Sequence, residues 1–150
     1  MNKVLVLVAN NAYIKHAFPV FMSAKDKGKW DGDCVLIVPP DNTTDVHGYE
    51  NTYEIDRKNE QQCLDDLESI GVKIFRTPRL GGNPQAHFYK IFLLDEYFQK
   101  WDWIFYCDCD VLFLNEIKLG LDNREKNILY ANEDGLDFVG QFTGVGENNK

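Results

Sequence analysis

The sequence predicts an α/β protein with a mainly parallel sheet and helices on both faces. Two apolar runs without alternation, Lys3–Val8 and Cys34–Val38, are typical of strands that are buried on both faces. Segments with helical periodicity separate the predicted strands, in the order strand, helix, strand, helix, strand, helix, strand. This alternation favours parallel strands joined by helical crossovers.

Local patterns predict the elements that follow the first strand. Ala12–Lys27 and Asn59–Ile70 repeat apolar residues at helical spacing, and Gly71 stands after the second helix at the C-cap position. Val72–Arg76 is a short strand. Gln85–Gln99 is strongly apolar and is predicted to be a helix.

The remaining predictions concern the second half of the chain and one long connection. Ile104–Tyr106 is predicted to be a strand, and so is Lys126–Ala131. Residues 41–58 are polar and are interpreted as an irregular connection, an excursion of the chain without helix or strand. Leu80–Pro84 is a loop, and Gly144–Lys150 is a polar tail that we expect to fray.

Composition limits the class of protein. The chain has 150 residues, 44% of them hydrophobic, and we expect a single domain over residues 1–150. Its net charge of −8 disfavours nucleic acid or an anionic membrane as the main partner. The apolar run Val4–Ala9 is too short to span a membrane. The four cysteines are expected to be reduced thiols, and we predict a cytoplasmic protein with no membrane span.

Two carboxylates follow the strand that ends at Tyr106. Asp108 and Asp110 flank Cys109 between two apolar runs, at the sheet edge where parallel α/β proteins bind ligands. Their oxygens suit Mg²⁺ or Mn²⁺. The spacing alone is weak evidence, because a chain with fifteen aspartates should contain about one or two such pairs by chance. Asp31-Gly32-Asp33 is a second such pair, and we interpret its residues as part of a turn. For Asp108 and Asp110, a solvent-exposed turn without a metal remains the alternative.

Four segments of the chain resemble one known family. They are Val8–Tyr13, Tyr89–Leu94, Tyr106–Leu112 and Gln141–Val145, and they occur in the family's order. Together they resemble the nucleotide-sugar glycosyltransferases of the GT-A fold, above all the family-8 type that includes glycogenin and bacterial lipopolysaccharide galactosyltransferases. The resemblance implies a Rossmann-like GT-A fold and a metal-dependent transfer of a hexose from a UDP-sugar to an unknown sugar or protein acceptor. It also suggests that the anomeric configuration is retained.

The same resemblance implies roles for individual residues. Asp108 and Asp110 would hold Mn²⁺ or Mg²⁺ on the donor diphosphate, and Gln141 would lie near the anomeric carbon, so that these three form the catalytic set. The donor-binding residues that it implies are Ala9, Asn10, Asn11, Tyr13, Lys90 and Asp108. From the residues alone, Tyr13 is equally well a half-buried aromatic at the start of a helix, and Lys90 a solvated lysine.

The chain departs from the family pattern in two respects. The family supplies a histidine as a third metal ligand downstream of the acidic motif, whereas His16, His47 and His87 all lie upstream and are interpreted as surface or capping residues. The family's C-terminal acceptor region is also expected to be missing from this chain.

Two other functions stay open at this stage. A haloacid-dehalogenase-type phosphatase also places Asp-x-Asp at a strand end, with one aspartate as nucleophile, but there the motif ends the first strand of the fold. A nucleotide-sugar binding module without catalysis is the non-enzymatic alternative. The sequence does not predict an oligomeric state.

Overall fold

A computed structural model describes residues 2–41, 43, 57–82 and 84–118. The chain divides into two compact units, Met1–Leu119 and Gly120–Lys150, and every described residue belongs to the first unit. The predicted strand at 126–131, the predicted site residue Gln141 and most of the excursion at 41–58 therefore lie outside the described residues. That residues 1–150 form one donor-binding domain stays a prediction.

Within the described residues, four strands, two α-helices and two 3-10 segments alternate along the chain. In chain order they are β1 (Lys3–Val8), α1 (Ile14–Asp26), β2 (Asp33–Val38), α2 (Arg57–Ser69), β3 (Val72–Arg76), the 3-10 segments Ala86–Leu94 and Glu96–Lys100, and β4 (Trp103–Tyr106). The four predicted strands that fall within the described residues, and the first two predicted helices, are confirmed to within two residues at each end. Gly71 follows α2 with a φ of +83°, a conformation that glycine adopts without steric cost.

The four strands form one parallel sheet in the order β3-β2-β1-β4. β1 is hydrogen-bonded to β2 on one side and to β4 on the other, with Val6 paired to both Val35 and Tyr106. The chain thus moves outward from β1 through β2 to β3 and then crosses back to the far side of β1. The strand order reverses between β1 and β4, and this is where parallel α/β sheets open a ligand-binding crevice.

Buried side chains cover both faces of the sheet, as the unbroken apolar runs predicted. The core on the side of the α-helices contains Leu5, Leu7, Cys34, Leu36, Ile14, Ala17, Phe21, Leu64 and Leu67. The core on the opposite side contains Val4, Val6, Val35, Ile37, Phe98 and Trp101. Alternate residues of β1 and β2 enter opposite cores, and so these strands carry no polar face.

The prediction of one helix over Gln85–Gln99 is wrong. The segment forms two 3-10 stretches that are separated by Asp95, whose backbone is extended and whose carboxylate accepts a hydrogen bond from the Tyr97 N–H at 2.9 Å. In a 3-10 helix, side chains three residues apart fall into one row. One row contains the buried Tyr89, Phe98 and Trp101 together with the half-buried Phe92, whereas Phe88, Ile91 and Leu94 form an exposed row.

The sequence could not reveal this difference because seven of the nine residues in Ala86–Leu94 are apolar. Periods of 3.0 and 3.6 residues both fit such a run. Aromatic side chains of the second 3-10 segment pack against the sheet: Phe75 of β3 stacks on Tyr97 at a centroid distance of 4.6 Å and meets Phe98 edge-on at 5.3 Å.

Candidate functional site

The acidic motif begins where β4 ends. The Cys107 N–H donates to the Val6 carbonyl at 3.2 Å, which extends the β1–β4 pairing one residue beyond the strand. The chain then turns, and the side chains of Asp108 and Asp110 are exposed. Cys107 and Cys109 are half-buried and pack against the core on the side of the α-helices. The two cysteines thus face the protein interior while the two aspartates face water.

Cys109 connects the acidic turn to the end of β1. Its thiol donates to the Val8 carbonyl at 3.2 Å. Burial, followed by the neighbouring charges, raises the pKa of the Cys109 thiol to about 12, and burial raises the pKa of Cys107 to about 12 as well. Cys109 is therefore protonated at neutral pH and can act as the hydrogen-bond donor. This contact brings the turn to Val8, the residue that precedes Ala9 and Asn10.

Tyr106 contacts two of the predicted site residues. Its hydroxyl donates to Asp108 Oδ1 at 2.6 Å. Lys90 Nζ lies 5.9 Å from the centroid of the Tyr106 ring, within the range of a cation–π contact. Burial, together with the hydrogen bond to Asp108, raises the pKa of Tyr106 far above its ordinary value. The hydroxyl therefore keeps its proton at all physiological pH values.

The turn after β1 is buried and contains unpaired polar atoms. Ala9 and Asn10 are each 1% exposed, and Asn10 Nδ2 donates to the Thr43 carbonyl at 2.9 Å. Asn10 Oδ1 and Asn11 Nδ2 are buried with no hydrogen-bond partner among the described residues. A buried polar atom without a partner costs about 1–3 kcal/mol. A ligand or water that pairs with these atoms would recover that free energy.

Tyr13 lies at the start of α1, as predicted. Its N–H donates to the Asn10 carbonyl at 2.8 Å, and its ring is 38% exposed at a centroid distance of 5.7 Å from the ring of His16. The exposed ring is available for stacking. His16 is a surface residue, as predicted, whereas His87 is half-buried with its ring 4.2 Å from that of Phe88. His47 lies outside the described residues.

The structure places the acidic turn close to Lys90 and to the end of β1. Asp108 and Lys90 meet through Tyr106, and the acidic turn meets the end of β1 through Cys109. Tyr106 and Cys109 received no role from the sequence. Strand alternation gives a signal for Tyr106, because residues two apart on a strand lie on one face and Tyr106 precedes Asp108 by two. No local pattern predicts the bond between Asn10 and Thr43.

The donor set of the acidic motif fits a hard divalent cation. Mg²⁺ and Mn²⁺ are commonly held by one or two carboxylates, with substrate phosphates and water as the other ligands. Asp108 and Asp110 supply such a pair in a position that is open to a ligand. Over residues 2–41, 43, 57–82 and 84–118, no group of three or more His, Cys, Asp or Glu side chains is arranged to hold a metal ion.

A second concave surface lies away from this site. A groove of about 410 Å³ separates α2 from β3 at the far edge of the sheet. Its lining residues are Gln61, Leu64, Glu68, Ile74 and Arg76, and none of them is a predicted site residue.

Comparisons with known proteins leave the family open. No model of a known protein family matches the chain, and no curated protein sequence matches it either. The glycosyltransferase resemblance therefore depends on the four similar segments of the sequence. In the part of the chain that the structure describes, no helix is both long and apolar enough to cross a membrane.

Proposed function

We propose that this protein is a metal-dependent glycosyltransferase that moves a hexose from a UDP-sugar to a sugar or protein acceptor. One observation carries the proposal: the acidic motif follows β4 directly, beside the end of β1, where the strand order reverses. Ligands of parallel α/β sheets bind at this place. The hydrogen bond from Cys109 to Val8 supports it, because it holds the motif against the predicted donor-binding turn.

The residues at this edge have complementary chemistry for a nucleoside diphosphate. Asp108 and Asp110 would hold Mn²⁺ or Mg²⁺, and a bound metal stabilises the charge on the departing diphosphate. Lys90 would add a positive charge for the phosphates. In a protein of net charge −8, such cations would offset the repulsion of an anionic donor.

The turn after β1 supplies groups for the rest of the donor. Asn10 Oδ1 is a buried acceptor and Asn11 Nδ2 a buried donor, both without a partner in the described structure. Ala9 adds only backbone groups, and Tyr13 offers an exposed ring on which a base could stack. This pairing of amide groups with an aromatic face suits a nucleobase and its ribose.

Calorimetric titration of the full chain with UDP, with and without Mn²⁺, tests the proposal. We expect Mn²⁺ to increase the affinity for UDP at least about tenfold, because the metal bridges two negatively charged partners. Equal affinity with and without Mn²⁺ would remove the support for a donor-diphosphate site. Turnover is then tested with UDP-hexoses, following Mn²⁺-dependent release of UDP.

The same samples distinguish the alternatives. Mn²⁺-dependent UDP binding without release of UDP from any UDP-hexose, alone or with acceptor sugars, would favour a binding module. Release of phosphate from an aryl phosphate, lost in Asp108→Asn, would favour a phosphatase instead. A glycosyltransferase gives UDP release and no phosphate release.

A further inference from the structure

Tyr106 is the residue through which the acidic motif and Lys90 are connected. It is half-buried at the end of β4, and it touches one group with its hydroxyl and the other with its ring. We propose that Tyr106 is a positioning residue, which orients the Asp108 carboxylate toward the cation and holds Lys90 beside it. This inference rests on the proposed function and assigns Tyr106 no contact with the reacting atoms.

The hydroxyl fixes one oxygen of the Asp108 carboxylate. The distance of 2.6 Å between the Tyr106 hydroxyl and Asp108 Oδ1 is typical of an O–H group that donates to a charged oxygen. Asp108 is exposed and would otherwise sample several rotamers. With Oδ1 held, Oδ2 stays available in one orientation. Hydrogen bonds of this kind to a metal-binding carboxylate commonly change metal affinity about 10- to 100-fold.

The ring limits the positions of the Lys90 ammonium group. Lys90 lies on the exposed side of the first 3-10 segment, and its Nζ lies 5.9 Å from the centroid of the Tyr106 ring. A lysine side chain is long and flexible, and a ring face is a favourable place for its charge. The contact keeps a cation near the residue that holds Asp108. It therefore connects the two groups that the proposed function assigns to the diphosphate.

Backbone pairing with β1 fixes the position of Tyr106. Tyr106 is paired with Val6 of β1, and Cys107 continues that pairing through its N–H. Val6 is fully buried on a central strand of the sheet, and so the backbone of Tyr106 is paired with the core. The two contacts that it makes are therefore anchored to the core, whereas Asp108 and Lys90 themselves are exposed.

Two substitutions separate the two contacts. Tyr106→Phe keeps the ring beside Lys90 and removes only the hydroxyl. Tyr106→Leu removes both contacts. Tyr97→Phe is the matched control, because it also removes the hydroxyl of a half-buried tyrosine but lies in the core around Phe75. Mn²⁺ binding by the full chain is measured by electron paramagnetic resonance in the presence of UDP, and thermal unfolding is recorded for each variant.

We expect Tyr106→Phe to weaken Mn²⁺ binding about 10- to 100-fold with little change in Tm, and Tyr97→Phe to bind Mn²⁺ like the unaltered chain. Tyr106→Leu should also lower the affinity for UDP in the absence of metal, because Lys90 loses its support. Equal Mn²⁺ affinity in Tyr106→Phe and the unaltered chain overturns the inference and leaves the proposed function intact. Absence of Mn²⁺ binding in the unaltered chain overturns both.

A measurement on the unaltered chain covers the case in which Tyr106→Phe does not fold. A cation at Asp108 Oδ2 draws electron density from the carboxylate and weakens the hydrogen bond that Oδ1 accepts from the Tyr106 hydroxyl. Adding Mn²⁺ to the chain with UDP already present should therefore change the tyrosine ultraviolet absorption. The same change is expected in Tyr97→Phe, because that variant keeps Tyr106. A spectrum that Mn²⁺ leaves unchanged, in a chain that does bind Mn²⁺, contradicts the inference.

Discussion

The chain contains two Asp-x-Asp motifs with the same spacing and opposite surroundings. Asp31-Gly32-Asp33 lies where β2 begins, and Asp108-Cys109-Asp110 lies where β4 ends. Asp31 forms an ion pair with Lys3 at 2.6 Å, and Asp33 accepts from both Lys73 and Trp101 at 2.8 Å. Throughout residues 2–41, 43, 57–82 and 84–118, neither Asp108 nor Asp110 has a salt-bridge partner, and Asp108 accepts only from Tyr106.

The difference shows that position in a parallel sheet decides what a pair of carboxylates can do. The charges of the first motif are compensated within the protein, and its cations lower the pKa of Asp31 and the pKa of Asp33. The charges of the second motif remain available at the ligand-binding edge. The first motif is thus a structural feature, and the second is the one that we propose to bind a metal. Four substitutions test this division.

The largest effect is expected from Asp110→Asn. Loss of one of two cation-binding carboxylates should weaken Mn²⁺-dependent UDP binding about 100-fold, which corresponds to about 2.7 kcal/mol. Tm should change little, because Asp110 is exposed. Asp31→Asn is the matched control, and it should leave UDP binding unchanged. An equal loss of UDP binding in both variants would break the comparison.

The middle residues of the two motifs differ as well. A Cβ on Gly32 would lie 2.5 Å from the Lys3 carbonyl oxygen and 2.7 Å from Lys3 Cγ. Gly32→Ala therefore forces the backbone of β1 to move, and we expect it to lower the free energy of unfolding by about 1–3 kcal/mol in a urea titration. Gly81→Ala is the control, since no atom lies within 4 Å of the place that its new methyl group would take. Equal stability of the two variants would contradict the crowding argument.

Cys109→Ala tests the connection between the acidic turn and β1. It removes the hydrogen bond to the Val8 carbonyl and a sulfur that packs on the core, at a cost of about 1 kcal/mol of unfolding free energy. It should also weaken Mn²⁺-dependent UDP binding, because the turn loses its attachment. Cys63→Ala removes another half-buried thiol, on α2, and should leave UDP binding unchanged. Identical UDP binding in the two variants would show that the attachment does not affect the site.

The smallest effect is expected from Asp33→Asn. The pKa of Asp33 is lowered below its ordinary value of 3.8 in the folded protein, first by Lys73 and then by Trp101. Its contribution to stability is thus present above about pH 4 and is lost as the pH falls through the folded-state pKa. Because the side chain is 42% exposed, solvent screening keeps this contribution below about 1 kcal/mol.

Urea titrations of Asp33→Asn at several pH values measure this contribution. The variant should differ from the unaltered chain at about pH 7 and approach it as the pH falls through the lowered folded-state pKa of Asp33. Lys73→Met and the double variant complete a double-mutant cycle, which isolates the interaction free energy between Asp33 and Lys73. A difference in stability that persists undiminished at low pH would show that the charge of Asp33 is not its cause.

Local patterns predicted much of the fold and part of the site. β1 and β2 were predicted because an unbroken apolar run of this length fits a strand that is covered on both faces, and α1 because Ile14, Ala17, Phe21 and Ala24 repeat at helical spacing. The polar residues that follow β1 and β4 were predicted to be site residues, because ligands bind at the carboxyl ends of parallel strands. The 3-10 segments were missed, because the apolar residues that fill most of Ala86–Leu94 fit both helical periods.

The amino-acid sequence by itself determined which segments are strands, and it placed polar residues directly after β1 and β4, because these properties depend on neighbours along the chain. Tertiary structure alone decided the strand order β3-β2-β1-β4, the shorter helical period and the difference between the two Asp-x-Asp motifs. The physical reason is sequence separation. Lys73 is 40 residues from Asp33, and Cys109 is 101 residues from Val8, so only the folded chain brings these partners together.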